Sequence, residues 1–196
     1  LLRGDSKPLD IAEKDLCLYH EHATDLQEQV NRFNQGIGLD GSKIEGIETP
    51  FSYGMACYPE KHEEAPNMES DLFYLKEKVR NGADYVVTQM FFDNEKYYAF
   101  VERCRQEGID VPIIPGVKPV VFKNQLNVLP KVFRTDIPEA FASELRKCTT
   151  DEEVKAVGVE WCKAQCKDLL AHGVPGLHFY TFMASDSVYK VAKEVY

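Results

Sequence analysis

Polar side chains that could take part in chemistry lie at or near the ends of apolar segments of the chain. They are Asp5, Tyr58, Gln89 with Asp93, and Thr181. A carboxylate stabilises positive charge, and a carboxamide offers a ligand two hydrogen-bond donors and an acceptor. The sequence contains no Walker loop, GxGxxG, HExxH or GxSxG motif. We therefore expect a site assembled from separate segment ends and not from one contiguous motif.

The segments that must position these side chains alternate between strand and helix patterns. Strands are predicted at "FSYGMACYP", "DYVVTQMFFD", "DVPIIPGVKPV" and "GLHFYTF". Helices are predicted from about Ile11 to Asn34 and at "NMESDLFYLKEKVRNGA", "NEKYYAFVERCRQEG", "TDEEVKAVGVEWCKAQCKDLLAHG" and "SDSVYKVAKEVY", with short helices in "NQLNVLPKVF" and "PEAFASELRKC". Continuous apolar strands that alternate with helices are typical of a parallel sheet covered by helices. The sequence therefore predicts an α/β protein.

Two helix starts carry capping signals. Asp93 ends one strand segment and directly precedes a helix, and Thr150 precedes a strongly acidic first turn. Short oxygen-bearing side chains satisfy the free N–H groups of a first turn, and acidic residues there complement the helix dipole. We expect Asp93 and Thr150 to be N-caps.

Periodicity alone permits either a doubly wound sheet or a (β/α)8 barrel. Polar residues at the carboxyl ends of strands favour the barrel, because those ends converge on one mouth where active sites form. A complete barrel takes about 250 residues, whereas this chain has 196. Four strands and the tail of a fifth at "LLRG" are recognisable. We expect residues 1–196 to form a single domain, the second half of a TIM barrel, without a regulatory domain.

Composition excludes several classes of function. The chain is 44% hydrophobic and 28% charged, with a net charge of -9, which argues against non-specific binding to nucleic acid or to an anionic membrane. Six scattered cysteines without a CxxC pair predict a reducing, cytoplasmic location. Cys162 and Cys166 are one helical turn apart, but no third ligand lies near them, so we predict apolar packing and no metal site.

Several motifs together resemble one enzyme family. These are "LRGD", "YPEKHEEAPNMESDLFYLKEKVRNGADYVVTQMFFD", "GIDVPIIPGVKPV" and "HFYT", in this order. They resemble methylenetetrahydrofolate reductase, and the likeness runs from about Leu2 to the carboxyl terminus. It covers the later half of the family's catalytic barrel. This half runs from the end of barrel strand 4 to barrel helix 8.

The resemblance implies reduction of 5,10-methylenetetrahydrofolate to 5-methyltetrahydrofolate in one-carbon and methionine metabolism. It further implies FAD at the barrel mouth, NADH or NADPH as the reductant, a small-molecule folate substrate and a homo-oligomer, with no nucleic acid or membrane partner. The alternative hypothesis is a catalytically incomplete half-barrel that serves only as a binding or association module.

The resemblance also implies cofactor-binding positions. They are Arg3, Gly4, Asp5, Ala23, Tyr58, His62, Ala65, Asp71 and Lys78. Asp5 is also the candidate catalytic residue, because a carboxylate beside the flavin would favour a cationic iminium form of the folate. From the residues alone, the favoured interpretation of Asp5 is a turn or cap residue, and that of Asp71 and Lys78 is a solvated helix face.

The substrate positions implied by the resemblance are Gln89, Gln125, Leu129 and Phe182. Gln89 would hydrogen-bond the folate pterin ring, and Gln125 would be a second glutamine in contact with the substrate. Leu129 and Phe182 would contact flat ligand rings, although core packing explains both equally well.

The chain departs from the family pattern in three places. The family's catalytic glutamate, expected near the first barrel strand, has no counterpart among these residues. Ala184 stands where many relatives carry a basic residue, and Tyr74 and Glu77 replace polar and basic residues on the flavin-contacting helix.

Overall fold

The computed structural model describes residues 1–2, 20, 22–45, 48–182 and 184–196. Its strands are β1 (Gly54–Cys57), β2 (Tyr85–Met90), β3 (Ile113–Val117) and β4 (His178–Phe179). Its helices are α1 (Ala23–Asn34), α2 (Met68–Arg80), α3 (Asn94–Gln106), α4 (Gln125–Phe133), α5 (Glu139–Lys147), α6 (Asp151–Ala171) and α7 (Ser185–Val195). The chain is an α/β protein, as its sequence pattern predicts.

The four strands form one parallel sheet in the order β1-β2-β3-β4. Helices cross over from each strand to the next, so chain neighbours are also sheet neighbours. A doubly wound sheet reverses its strand order at a switch point, whereas a barrel adds each new strand on the same side. The observed order therefore resolves the alternative in favour of a partial TIM barrel. The amino group of Leu1 donates to the carbonyl of Gly54 on the free side of β1, where the tail of a fifth strand is expected.

Side chains on the sheet alternate between a face that packs on the helices and an inner face. Met55, Val86 and Val117 point to the helices and share a core with Cys162 and Cys166 of α6. Since successive side chains of a strand point to opposite faces, Gln89 and its alternating neighbours line the inner face. In a barrel, this inner face meets the mouth at the carboxyl ends of the strands.

The two predicted caps are confirmed. The Asp93 carboxylate accepts the N–H of Glu95 at 3.1 Å. Thr150 accepts the N–H of Glu153 at 3.2 Å, and the Glu153 carboxylate accepts the N–H of Thr150 in return. These paired bonds start α6 at the predicted residue.

Two predicted elements differ in extent. The last strand is limited to β4, which is shorter than "GLHFYTF" and pairs with Gly116 and Val117 at the carboxyl end of β3. Helix α1 begins at Ala23, and most of the earlier part of its predicted span lies outside the described residues.

The cysteine prediction also has a structural outcome. Five cysteines of the described part are buried free thiols, and Cys17 lies outside it. No cluster of metal-ligating side chains occurs among the residues that the structure describes. Within the same ranges, no helix has the length and apolar character needed to cross a membrane.

Candidate active site at the carboxyl end of the sheet

Four strand ends bring polar or aromatic side chains to one edge of the sheet. Tyr58 directly follows β1, Gln89 is the penultimate residue of β2, and Lys118 directly follows β3. Tyr180 follows β4, and its hydroxyl donates to the carbonyl of Thr88 at 2.8 Å. The parallel register therefore assembles a mouth from residues far apart in the chain.

Gln89 presents the donor end of its carboxamide. Its Oε1 accepts the backbone N–H of Met90 at 2.9 Å, and the side chain is half-buried. Because a backbone N–H can meet only the oxygen, this bond fixes the orientation of the amide. No hydrogen bond engages Nε2 within the described residues, so both of its protons are available to a ligand.

Gln125 is held in the same way. It is the first residue of α4, and its Oε1 accepts the N–H groups of Val121 at 2.8 Å and Phe122 at 3.2 Å. The amino group of this second carboxamide is likewise unengaged in the described part of the chain. In both predicted substrate glutamines, backbone N–H groups thus hold the oxygen and leave the amino group as the unengaged end among the described residues.

The loop after β1 holds an aromatic pair. The rings of Tyr58 and His62 meet edge to face, with centroids 4.5 Å apart. Lys61 adopts a left-handed backbone (φ 80), and its ammonium donates to the carbonyls of His62 at 3.0 Å and Ala65 at 2.5 Å. The lysine side chain therefore closes the loop that carries three of the predicted cofactor residues.

Asp71 of α2 contacts this loop, and Lys78 of α2 contacts the strand before it, β1. The buried Asp71 carboxylate accepts the N–H of His62 at 2.8 Å, which anchors the loop on the helix. Lys78 Nζ donates to the carbonyl of Ala56 at 3.2 Å. Burial lowers the pKa of Lys78, and Asp71 opposes that shift. The ammonium keeps two further donors, whereas Asp71 has a clear structural task.

The remaining predicted residues have different environments. Ala23 is the first residue of α1 and packs against the main core. Leu129 is only 2% exposed and packs with Met90 and Phe92, so it serves the core here. Phe182 is 55% exposed and lies beyond β4 near the mouth. Arg3, Gly4 and Asp5 lie outside the described residues.

Lys118 is a site residue that the sequence reasoning missed. It is only 2% exposed, and its Nζ lies 5.0 Å from the centroid of the Phe182 ring. Burial lowers the pKa of its ammonium group. The signal in the sequence is a lone cation between "PGV" and "PV", at the carboxyl end of a predicted strand.

Comparison with known proteins places this fold and mouth in a family. The family model described as methylenetetrahydrofolate reductase matches residues 2–196. The chain belongs to the methylenetetrahydrofolate reductase family. This confirms the resemblance that the sequence motifs indicate.

Curated relatives carry the same family name. The chain is 37% identical over 147 residues to a probable methylenetetrahydrofolate reductase (NADPH) from Caenorhabditis elegans, which covers 74% of this chain and 22% of the relative. It is 37% identical over 147 residues to methylenetetrahydrofolate reductase (NADH) 1 from Arabidopsis thaliana, covering 70% and 25% respectively. It is 38% identical over 142 residues to the 5,10-methylenetetrahydrofolate reductase of Escherichia coli K12, covering 72% and 48%. The matches therefore span less than half the length of these relatives.

A solved structure confirms the fold independently. It is an uncharacterised protein from Clostridium thermocellum, described as binding two copies of 5-methyl-5,6,7,8-tetrahydrofolic acid. The TM-score is 0.51 at 17% identity, and the match covers 75% of this chain and 54% of that one. At this identity, the likeness shows a shared fold.

Proposed function

We propose that this chain forms the substrate-holding half of a barrel that reduces 5,10-methylenetetrahydrofolate to 5-methyltetrahydrofolate, with FAD and with NADH or NADPH as the reductant. One observation carries the proposal. In a chain of this family, backbone N–H groups hold the amide oxygens of Gln89, at a strand end, and Gln125, at a helix start, and leave both amide nitrogens without a partner among the described residues. The function is thus derived from the site together with the family.

The donor orientation suits a pterin ring. A pterin presents a carbonyl oxygen and ring nitrogens that accept hydrogen bonds, and a neutral amide donor matches them without adding charge. Each such bond contributes about 0.5–1.5 kcal/mol, and an unmatched polar group costs about 1–3 kcal/mol. Two oriented donors therefore favour a flat ring with acceptors on its edge over an apolar ring of the same size.

The described residues fit FAD in their donor chemistry. Lys78 has two unused ammonium donors for pyrophosphate oxygens, and the Tyr58 and His62 rings can contact the flat ring system or its chain. Asp71 already accepts the N–H of His62, so we propose that it shapes the loop and reaches ribose hydroxyls only with its other oxygen. Ala65 and Ala23 would border the cofactor as small apolar residues. Bound FAD supplies the hydride chemistry that no protein side chain provides.

Asp5 stays our candidate catalytic residue, with Arg3 and Gly4 beside it as cofactor contacts. A carboxylate near the reacting folate would stabilise a cationic iminium carbon and nitrogen. Of the two apolar candidates for substrate contact, Phe182 has the exposed ring for this role, whereas Leu129 would support the site from within the core. A single domain, a homo-oligomer and a reducing cytoplasmic location are further parts of the proposal, and buried free thiols support the last.

Gln89→Ala in the intact protein that carries this sequence tests the proposed function. We expect folate turnover (kcat/KM) to fall about tenfold or more, because the pterin loses an oriented donor. FAD content, measured by flavin absorbance per protein, should stay within about twofold. The exposed Gln106→Ala variant is the matched control and should change neither quantity.

Equal loss of turnover and flavin in Gln89→Ala would show that Gln89 has a structural role. An intact wild-type protein that stays colourless after incubation with FAD would contradict the flavin-dependent reductase and favour the association module.

A further inference from the structure

Lys118 is a buried cation that no carboxylate neutralises among the residues that the structure describes. Its Nζ reaches only the carbonyl of Pro119, at the 3.5 Å limit of a hydrogen bond. Burying an ammonium without a partner costs free energy. A cation buried at such a cost at the carboxyl end of the sheet points to a task in the site.

The contact that Lys118 does make is with an aromatic face. Nζ lies over the ring of Phe182, 5.0 Å from its centroid, which is a cation–π geometry. Phe182 also packs against Phe133 and Tyr180, with centroid distances of 5.8 Å and 6.5 Å. Its backbone is left-handed (φ 40), a conformation that is strained for a bulky side chain. These contacts hold the ring in place while leaving more than half of it exposed.

An ammonium beneath a ring changes what the other side of that ring accepts. The negative potential of the Phe182 ring already stabilises the Lys118 ammonium. A second cation on the opposite face of the ring therefore gains little from it and is repelled by the ammonium charge. A flat ligand stacked at the usual separation of about 3.5 Å would lie roughly 8–9 Å from Nζ. At that distance, unit charges in a partly buried site still interact appreciably, even after salt screening.

We propose that Lys118, acting through Phe182, makes this part of the mouth select the neutral reduced nicotinamide ring over its cationic oxidised form. This selectivity rests on the proposed function, in which NADH or NADPH binds at the same mouth. Hydride loss converts the neutral dihydronicotinamide into a nicotinamide cation, so the product meets a repulsion that the substrate does not. Lys118 would therefore be a positioning residue that speeds the exchange of oxidised for reduced dinucleotide.

The experiment compares dissociation constants of NADH and NAD⁺, and of the NADPH pair, by anaerobic calorimetric titration of the intact protein with its FAD already reduced, so that NADH cannot transfer hydride to the flavin. In Lys118→Met, we expect NAD⁺ to bind about three- to tenfold more tightly, because the screened repulsion is lost. NADH binding should change less than about twofold. Lys118→Arg should keep the wild-type ratio of the NAD⁺ and NADH dissociation constants, since it keeps the charge. The exposed Lys131→Met on α4 is the matched control.

Phe182→Leu is a second variant, and it tests the same contact even if Lys118→Met does not fold. It keeps the ammonium and removes the ring, so binding of both dinucleotides should weaken while the reduced form stays preferred. The selectivity would be overturned if Lys118→Met left the ratio of the NAD⁺ and NADH dissociation constants unchanged, or if Lys118→Arg changed this ratio as much as Lys118→Met. Either result would leave the proposed function intact. A wild-type protein that binds neither dinucleotide would overturn both.

Discussion

At the scale of single residues, Gly158 allows α6 to approach closely the loop that orients Gln125. A Cβ at Gly158 of α6 would lie 1.9 Å from the carbonyl oxygen of Val120. The loop that contains Val120 begins at Lys118 and supplies the N–H groups of Val121 and Phe122 that orient Gln125. Close approach of helix and loop therefore positions both an orienting bond and a buried cation.

Gly158→Ala should destabilise the protein by about 2 kcal/mol or more, because the methyl group must displace backbone. This loss exceeds the gain of up to about 1 kcal/mol that alanine brings to a helix interior. Chemical denaturation measures the change. Gly176→Ala is the control, since a Cβ there meets nothing within 4 Å. A Gly158→Ala protein as stable as wild type would show that the loop can move away freely.

Residue positions were predictable where the signal is local. Alternation and flanking turns place Tyr58 and Gln89 at strand ends, and Asp93 caps a helix that starts one residue later. The contact of Lys118 with Phe182 joins two strand ends that are distant in sequence, so no local pattern contains it. The burial of Leu129 was likewise not predictable from a local pattern, because it depends on how α4 packs against residues at and after the end of β2.

At the scale of elements, polar side chains fasten α3 to α6. The Asp168 carboxylate on α6 accepts the Tyr98 hydroxyl and the Asn94 amide of α3, each at 2.7 Å. The Trp161 indole of α6 donates to the carbonyl of Phe92, and Gln165 donates to that of Phe91. The long helix is thus bound to the chain that leaves β2, directly behind Gln89.

Asp168→Asn should lower the free energy of unfolding at neutral pH by less than about 1 kcal/mol, since the carboxylate is half-exposed and screened by solvent. The Tyr98 and Asn94 hydrogen bonds lower the pKa of Asp168 below its ordinary 3.8. Its contribution is therefore present above pH 3.8 and is lost as pH falls through the lower folded value. Denaturation from pH 7 to pH 2 should show the two proteins converging in acid.

The exposed Asp110→Asn is the control for this series and should match wild type throughout. A constant difference between Asp168→Asn and wild type at every pH would contradict the ionised hydrogen bond as its cause.

Element lengths were less predictable than element types. A strand ends where its partner stops offering backbone groups, and the pattern "GLHFYTF" does not reveal that partner. Helix ends with side-chain caps were predictable, because Thr150 and Asp93 act on N–H groups of their own first turns. The sequence pattern left two architectures open, a doubly wound sheet and a barrel. Only the observed strand pairing decided between them.

At the scale of the whole molecule, the sheet keeps an outer edge at β4 and an inner face that is partly open to solvent. Tyr85 of that face is 36% exposed, although strand residues of a closed barrel are buried on both faces. Unpaired edges of parallel sheets invite pairing with further strands. Three preceding βα units, together with the strand expected to end at "LLRG", would cover both the edge and the face.

Hydrogen exchange of the β4 amides tests this completion. In residues 1–196 alone, we expect these amides to exchange quickly, because β4 pairs on one side only. Joining the preceding βα units of a family relative should slow their exchange at least about tenfold, while the amides of β2 change little. Fast exchange of β4 in both proteins would contradict closure of the barrel at this edge.

The locked carboxamides of Gln89 and Gln125 set a rule for inhibitor chemistry. Their oxygens accept backbone N–H groups, so turning either amide over would break these bonds and set its amino group against a backbone N–H. A folate analogue that carries an amino group in place of the ring carbonyl facing either side chain would set donor against donor. Under the proposed function, we therefore expect folate analogues that keep this ring carbonyl to bind more tightly than analogues that carry an amino group in its place.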